Sequence, residues 1–372
     1  MKLYLAGGAV RDLLLGRSFA DRDYLITETS RETFQAEHPE AKEVGHAFPV
    51  FLVNGIEFSF PRADSLEMDL RSRDLTVNAL LLDENGELTC HPQGLEDLHK
   101  RMLRPASRQS FFDDPLRVLR AARFWAVLPD FTPHEELIDT MRDIASQGLL
   151  ETIAPDRIGA ETRKALSATQ PGNFLRLLER TGCLAPWFAE FADSESIPAG
   201  PLPYHDTNVL EHTCRVMDAL AGDPIAVWAG LCHDIGKTMT DADEWPHHYG
   251  HDIKGESPST DLAQRLRLSN AYASAGANGA RWHMVAANYA ELRPGTKVDL
   301  LMHLHQSRTL ETVFALVRAD YDRDLAHQAR QDLAIILKVH LPLELRNLDA
   351  ESGRHLRDLR AQALITASKN KT

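Results

Sequence analysis

Cysteine is scarce here: four residues in 372, Cys90, Cys183, Cys214 and Cys232, stand far apart along the chain. Such spacing excludes a paired metal-ligand ribbon and favours buried, reduced thiols over a disulfide framework. An excess of positive charge is lacking too, since 41 Lys and Arg against 54 Asp and Glu leave a formal net charge of −13. Indiscriminate nucleic-acid binding, which needs clustered Lys and Arg on phosphates, does not fit that balance. No apolar run approaches the roughly 18 residues of a membrane span. The first residues, MKLYLAGG, lead straight into patterned sequence without a charged, apolar, cleavable signal. These absences predict a cytoplasmic protein with no membrane partner; oligomeric state is not legible.

What is present is enough apolar material, 43% of the residues, for two or three hydrophobic cores. Residues 2–60 alternate short β-rich runs (Leu3–Ala6, Asp23–Ile26, Phe48–Val53, Ile56–Phe60) with helical patterns, and Asn54-Gly55 is a hairpin signal. From about Asp114 the pattern is helical, and Ser194–Pro203 has the small residues and prolines of a linker. The expected fold is therefore α+β: a mixed-sheet head at 1–125, a helical neck and body at 126–195, a second helical domain at 196–335 and a helical tail at 336–372. A basic stripe also lies inside this acidic chain, with seven Lys and Arg against two Asp between Lys100 and Phe124. By itself it reads more readily as a solvated helix face than as an RNA contact.

Two features of the head carry chemistry. Gly7-Gly8-Ala9-Val10-Arg11 follows a predicted strand and opens a helix, where backbone amides stabilise an anionic phosphate. Asp21 and Asp23 stand at i and i+2 at a strand start, so both project from one face. A carboxylate pair of this kind suits Mg²⁺, which takes oxygen ligands and shares them with phosphate oxygens and water. An isolated Asp-x-Asp is more often a solvated cap; its coupling to the upstream glycine turn favours the metal reading. Glu57, on the last predicted strand, is a candidate third carboxylate or an exposed strand residue. Asp114 and Arg117 are read as i and i+3 on one helix face. Such a pair accepts from the exocyclic amine and donates to the ring nitrogen of C or A, whereas U and G show the opposite pattern. The bland alternative is a surface ion pair.

Several stretches occur in the order of a known family: GGAVRDLLLGRSFADRDYLI (7–26), DLRSRDLTVNAL (69–80), HPQGLEDL (91–98), DDPLRVLRAARF (113–124) and APDRIGAETRKAL (154–166). Together they resemble class II tRNA nucleotidyltransferases, the CCA-adding enzymes and their poly(A) polymerase relatives. The resemblance implies a template-independent enzyme acting on tRNA with CTP and ATP. Asp21 and Asp23 would hold Mg²⁺, Gly7, Gly8 and Arg11 would lie at the triphosphate, and Arg73, Asp74 and Asn78 near sugar and phosphates. Asp114 and Arg117 would read the base, and Arg157 would support from the neck. Two departures are small: Asp113 stands where the family has Glu, and Ser72 where it has the first of two arginines. A third is larger, because only Ala63–Arg71 separates Arg62 from Ser72, where CCA-adding relatives carry a longer loop. A short connection resembles the members that stop after two cytidines, and CC addition is the leading expectation; full CCA or A-only addition is the alternative.

In the rear half, His212 sits in a helical pattern, and His233-Asp234 follows an apolar helix and precedes Ile235-Gly236-Lys237. Imidazole and carboxylate ligands from adjacent helices suit Mg²⁺ or a divalent transition metal. The HDIGK context resembles HD-domain phosphohydrolases, with Asp320 as the expected closing ligand and Asp322 and Asp324 as alternatives. His247, His248 and His251 read as a polar loop with a candidate supporting contact. Rival readings are a phosphohydrolase with an RNA-binding head, a non-catalytic RNA-binding scaffold and a poly(A) polymerase.

Overall fold

The computed structural model describes residues 1–19, 22–44, 50–202, 206–346 and 350–369. Its strands are β1 (Lys2–Ala6), β2 (Asp23–Thr27), β3 (Lys42–Val44), β4 (Val50–Val53), β5 (Ile56–Ser59), β6 (Leu80–Asp83), β7 (Leu88–Cys90), β8 (Met102–Leu103) and β9 (Thr132–Pro133). The first seven form a mixed sheet in the order β3-β4-β5-β2-β1-β6-β7. Asn54 and Gly55, both at positive φ, close the β4–β5 hairpin that the sequence predicts. Strand β2 runs antiparallel to β1 and parallel to β5.

Helices of the front half are α1 (Gly8–Leu14), α2 (Arg31–Glu37), α3 (Leu66–Arg71), α4 (Gly94–Lys100), α5 (Arg108–Asp113), α6 (Arg117–Val127) and α7 (Glu135–Ser146). Both sheet faces are covered, which is why successive residues Leu25 and Ile26 of β2 are both buried. Leu25 joins Tyr4, Ala6, Leu70 and Leu81 in one core cluster. Ile26 joins Phe34 of α2, Phe51 and Val53 in another. Ser30 caps α2 and Ser65 caps α3 by accepting from the backbone amides of Thr33 and Met68. Part of the short 63–71 connection is thus helical.

The rear helices are α8 (Pro155–Leu166), α9 (Gly172–Arg180), α10 (Val209–Ala219), α11 (Pro224–Cys232), α12 (His251–Lys254), α13 (Glu256–Arg265), α14 (Asn270–Ala287), α15 (Pro294–Gln306), α16 (Leu310–Tyr321), α17 (Ala326–Leu337) and α18 (Ala350–Lys369). Two compact units result: Met1–Ala154 with Leu177–Pro186, and Pro155–Arg176 with Trp187–Thr372. The fold class is α+β as expected. The Ser194–Pro203 stretch differs from its linker reading. Ile197 and Ala199 are buried, and the Val209 amide donates to the Ile197 carbonyl at 2.8 Å. Apolar side chains in a Pro-rich stretch pack wherever a core lies beneath them. Cys183, Cys214 and Cys232 are buried free thiols, as read from their spacing, whereas Cys90 is a free thiol that is only half-buried. Among the described residues no helix is long and apolar enough to cross a membrane.

Candidate functional site

Chain order and strand pairing bring three separate motifs to one end of the sheet. Strand β1 ends at Ala6, which lies opposite Asp23, and Asp23 lies opposite Glu57 of the parallel strand β5. Directly opposed residues share a face, so an exposed carboxylate pair, Asp23 and Glu57, stands beside the glycine turn. Gly7 sits at φ 69°, ψ −129°, a left-handed φ that a side chain would strain. Its amide donates to the Leu80 carbonyl at 2.9 Å. Asp21, the partner expected for Asp23, lies outside the described residues.

Behind that edge runs a buried polar chain. Arg11 is fixed by Asp12 through its Nε and Nη2, both at 2.9 Å, and donates from Nη1 to Asn78 Oδ1 at 2.6 Å. Asn78 Nδ2 donates to Asp74 Oδ1 at 3.2 Å, and Asp74 Oδ2 accepts from Arg120 Nε at 3.0 Å and Nη2 at 2.5 Å. Burial alone would raise the Asp74 carboxyl, yet Arg120 and Arg117 outweigh it and hold it well below the usual carboxylate range. Arg73 lies along Asp69, donating to its Oδ2 at 3.2 Å, and an added Cβ on Gly7 would meet Arg73 Nη1 at 3.7 Å. Arg117, also buried, donates to the Arg73 carbonyl at 2.7 Å. Residues from 11, 74, 78 and 120 thus form one continuous network. Asp69 and Arg120 were not singled out from sequence; Arg120 was visible only as one member of the basic stripe.

One expected geometry is corrected. Asp114 and Arg117 do not share a helix: Asp114 is extended at φ −142°, ψ 90°, after α5 ends at Asp113, and α6 begins at Arg117. Pro115 is the cause, because a residue before proline is driven out of the helical region. The two still meet by backbone, the Arg117 amide donating to the Asp114 carbonyl at 3.0 Å. Arg157 lies exposed on α8, in the other compact unit.

That second unit gathers its own polar centre. Helices α10, α14 and α16 carry His212, His283 and Asp320 to one buried point, where His233-Asp234 follow directly on the end of α11. His212 Nε2 lies 3.3 Å from Asp234 Oδ2 and 3.2 Å from Asp320 Oδ1, and His233 Nε2 lies 3.2 Å from Asp234 Oδ2. Lys237 Nζ is 2.6 Å from Asp234 Oδ2 and donates to the Ala199 carbonyl at 2.7 Å. Burial disfavours charge on His212, but Asp234 and Asp320 outweigh it and push its pKa up to about 9. Burial, with His233 beside it, pushes His283 down to about 4. His212, His233 and Asp234 are close enough to hold one ion; Asp234 Oδ2 is already met by the Lys237 ammonium, whereas Asp234 Oδ1 is buried without a hydrogen-bond partner. Of the expected polar loop, His248 is tied to Thr240 and the Pro198 carbonyl, both at 2.7 Å, and His247 stacks on Tyr249. His251 instead reaches Asp234, its Nε2 lying 3.4 Å from Oδ1. His283 was missed altogether, being a lone histidine in an alanine-rich helix with no motif around it.

Residues 3–104 match the family described as the Poly A polymerase head domain, and residues 130–194 the one described as the probable RNA and SrmB- binding site of polymerase A. A polymerase head of the poly(A) class on a helical rear is therefore the class of protein that fold and motifs define. The multifunctional CCA protein of Stenotrophomonas maltophilia is 36% identical over 340 residues, covering 84% of this chain and 83% of that relative. That of Xanthomonas campestris is 34% identical and covers 99% and 98% of the two chains. The chain belongs to the multifunctional CCA protein family. Its fold is also that of a CCA-adding enzyme solved with ATP (TM-score 0.63, 18% identity, covering 100% of this chain and 92% of that one) and one solved with CTP (0.62, 18%, 97% and 87%).

Proposed function

We propose that this protein extends the 3′ end of tRNA without a template, taking CTP and ATP as nucleotide substrates. The observation that carries the reading is the strand register that sets Asp23 between the Gly7-Gly8 turn and Glu57. Asp21, Asp23 and Glu57 would hold Mg²⁺; the exposed carboxylates of Asp23 and Glu57 on neighbouring strands fit a hard cation that keeps water and phosphate oxygens. The chemistry such an ion supplies is acidification of the 3′-hydroxyl and neutralisation of the triphosphate. Gly7, Gly8 and Arg73 line the phosphate side. Arg11, Asp74 and Asn78 serve the nucleotide by holding one another and Arg120 in a fixed array, and Asp114 and Arg117 read the base edge from the α5–α6 junction. Arg157 supports from the neck. The four-segment division at 125, 195 and 335 and a cytoplasmic location belong to the same reading.

Only nine residues, Ala63–Arg71, separate Arg62 from Ser72, which supports addition of CC as the product. The names of the relatives favour full CCA, and sequencing the 3′ ends made from tRNA, CTP and ATP discriminates. A product that carries the terminal A overturns the CC assignment. In the helical unit, His212, His233, Asp234 and Asp320 would hold a divalent metal, Mg²⁺ or a transition ion, for hydrolysis of a phosphoester. Loss of incorporation in Asp23→Ala with hydrolysis intact, and the reverse in Asp234→Asn, is the expected pair of results; full incorporation in Asp23→Ala overturns the head assignment.

A further inference from the structure

The hydrogen-bonded network in the head runs from Arg120 of α6 through Asp74, Asn78 and Arg11 to the Asp12 carboxylate on α1. It does not stop there. Gly16, at φ 67°, ends α1 in a turn whose amides reach back along the helix, Gly16 donating to the Leu13 carbonyl at 3.1 Å and Arg17 to the Asp12 carbonyl at 2.8 Å. Arg17 leaves that turn with Nη2 donating to both Asp130 oxygens, at 3.0 and 2.9 Å. Arg101, which follows α4, pairs with the same carboxylate.

Asp130 follows α6 and stands between Leu128 and Phe131, which are both buried, and the Phe131 amide donates to the Leu128 carbonyl at 3.0 Å. Its backbone is therefore fixed. Arg101 is held close by, because its carbonyl accepts from the Thr132 amide at 2.8 Å. The contacts thus close a ring: from α6 through Arg120, Asp74, Asn78 and Arg11 to α1, and from the end of α1 through Arg17 and Asp130 back to α6. Inside it the Arg11 guanidinium lies 5.6 Å from the centre of the Phe124 ring of α6. A closed ring holds two helices in one register, where a single contact would leave a hinge. Exposed ion pairs add little to stability, and the Arg17 and Asp130 side chains are 36% and 33% exposed. Their consequence is geometric.

We propose that Asp130 is a positioning residue for nucleotidyl transfer, locking α1, with the Gly7-Gly8 turn at its start, to α6, whose first residue is Arg117. The lock rests on the roles proposed above for that turn and for Arg117. A nucleotide touches the turn with its phosphates and Arg117 with its base, so its affinity depends on the separation of the two. Slack between α1 and α6 weakens a ligand that spans both and spares one that touches only the turn.

The test measures CTP incorporation into tRNA by the full chain carrying Asp130→Asn, Arg17→Gln, both together, or Asp130→Glu, with inorganic tripolyphosphate as a competitor that reaches only the phosphate side. KM for CTP should rise about fivefold in either single variant, within the roughly hundredfold that a misplacement of about 1 Å can cost, while kcat stays within about twofold. The double variant should be no worse than the single ones, as for residues that act as a pair, and Asp130→Glu should recover most of the loss. The Ki of tripolyphosphate and the melting profile should not move. An unchanged KM in every variant overturns the lock, and so does a tripolyphosphate Ki that rises with KM, since that marks general damage to the site. A wild-type chain that incorporates no CTP overturns the reading beneath it as well.

Discussion

The head and the helical unit assemble their charged centres in opposite ways. In the head, Asp23 and Glu57 stand exposed near the starts of two neighbouring strands, and the buried Arg11, Asn78 and Asp74 with the half-buried Arg120 satisfy one another through hydrogen bonds. In the helical unit the centre itself is buried, and Asp234 and His251 keep atoms that no protein group satisfies. A site that works on a large nucleic acid end needs open carboxylates, completed only when substrate and cation arrive together. A buried histidine cluster can take a cation only if the fold supplies every ligand in advance.

The sharpest way to break this contrast is to remove one carboxylate from each centre. Asp23→Ala should lower nucleotide incorporation by about a thousandfold or more and leave phosphoester hydrolysis unchanged. Asp234→Asn should do the reverse, both read by product formation on labelled tRNA and on a chromogenic phosphodiester. If either variant lost both activities while still folded, the two centres would not be independent. Chelation comes next in size. Saturating Mn²⁺ at a hundred times its Kd should stabilise the helical unit by about 3 kcal/mol, raising its calorimetric transition, and EDTA should reverse this. The head transition should not move, because exposed carboxylates without nucleotide hold a cation weakly.

A smaller effect probes the buried network. Asp74→Ala strands Arg120, but that guanidinium is 34% exposed and rehydrates, so the loss should be about 2 kcal/mol, below the range for fully buried pairs. Since the folded Asp74 pKa lies below its unfolded value, its contribution is fully present above about pH 4 and is lost only as the pH falls through the folded value. Acid titration of the head's urea midpoint, wild type against Asp74→Ala, checks this; curves that converged between pH 5 and 7 would contradict the assignment. Smallest is Gly7→Ala. With φ at 69°, it should cost about 1 kcal/mol of stability through backbone strain and raise KM for CTP more than it lowers kcat.

Much of the head was legible because its signals are local. Glycine after a strand and Asn-Gly in a hairpin each act within a few residues. What was not legible depended on distance in sequence. Glu57 was a candidate third carboxylate in the sequence, but its place opposite Asp23 depends on a parallel pairing across 34 positions, and Arg120 becomes a partner of Asp74 across 46. The Asp114–Arg117 geometry was read by helical spacing when Pro115 had already excluded a shared helix, a local signal outweighed by the apparent period. His283 carried no signal at all, since a histidine in an apolar helix looks the same whether it fills a core or faces a carboxylate.

The sequence by itself determined the family, the α+β class, the order of motifs and the residue types available for metal and phosphate. Those follow from spacing, turn chemistry and composition, which the chain carries wherever it goes. Only the tertiary structure decided which carboxylates share an edge and which oxygen of Asp234 faces which imidazole. It also decided which arginines are spent on holding the frame. Those are properties of register and helix packing, where a separation of a few tenths of a nanometre between distant residues separates a ligand from a bystander.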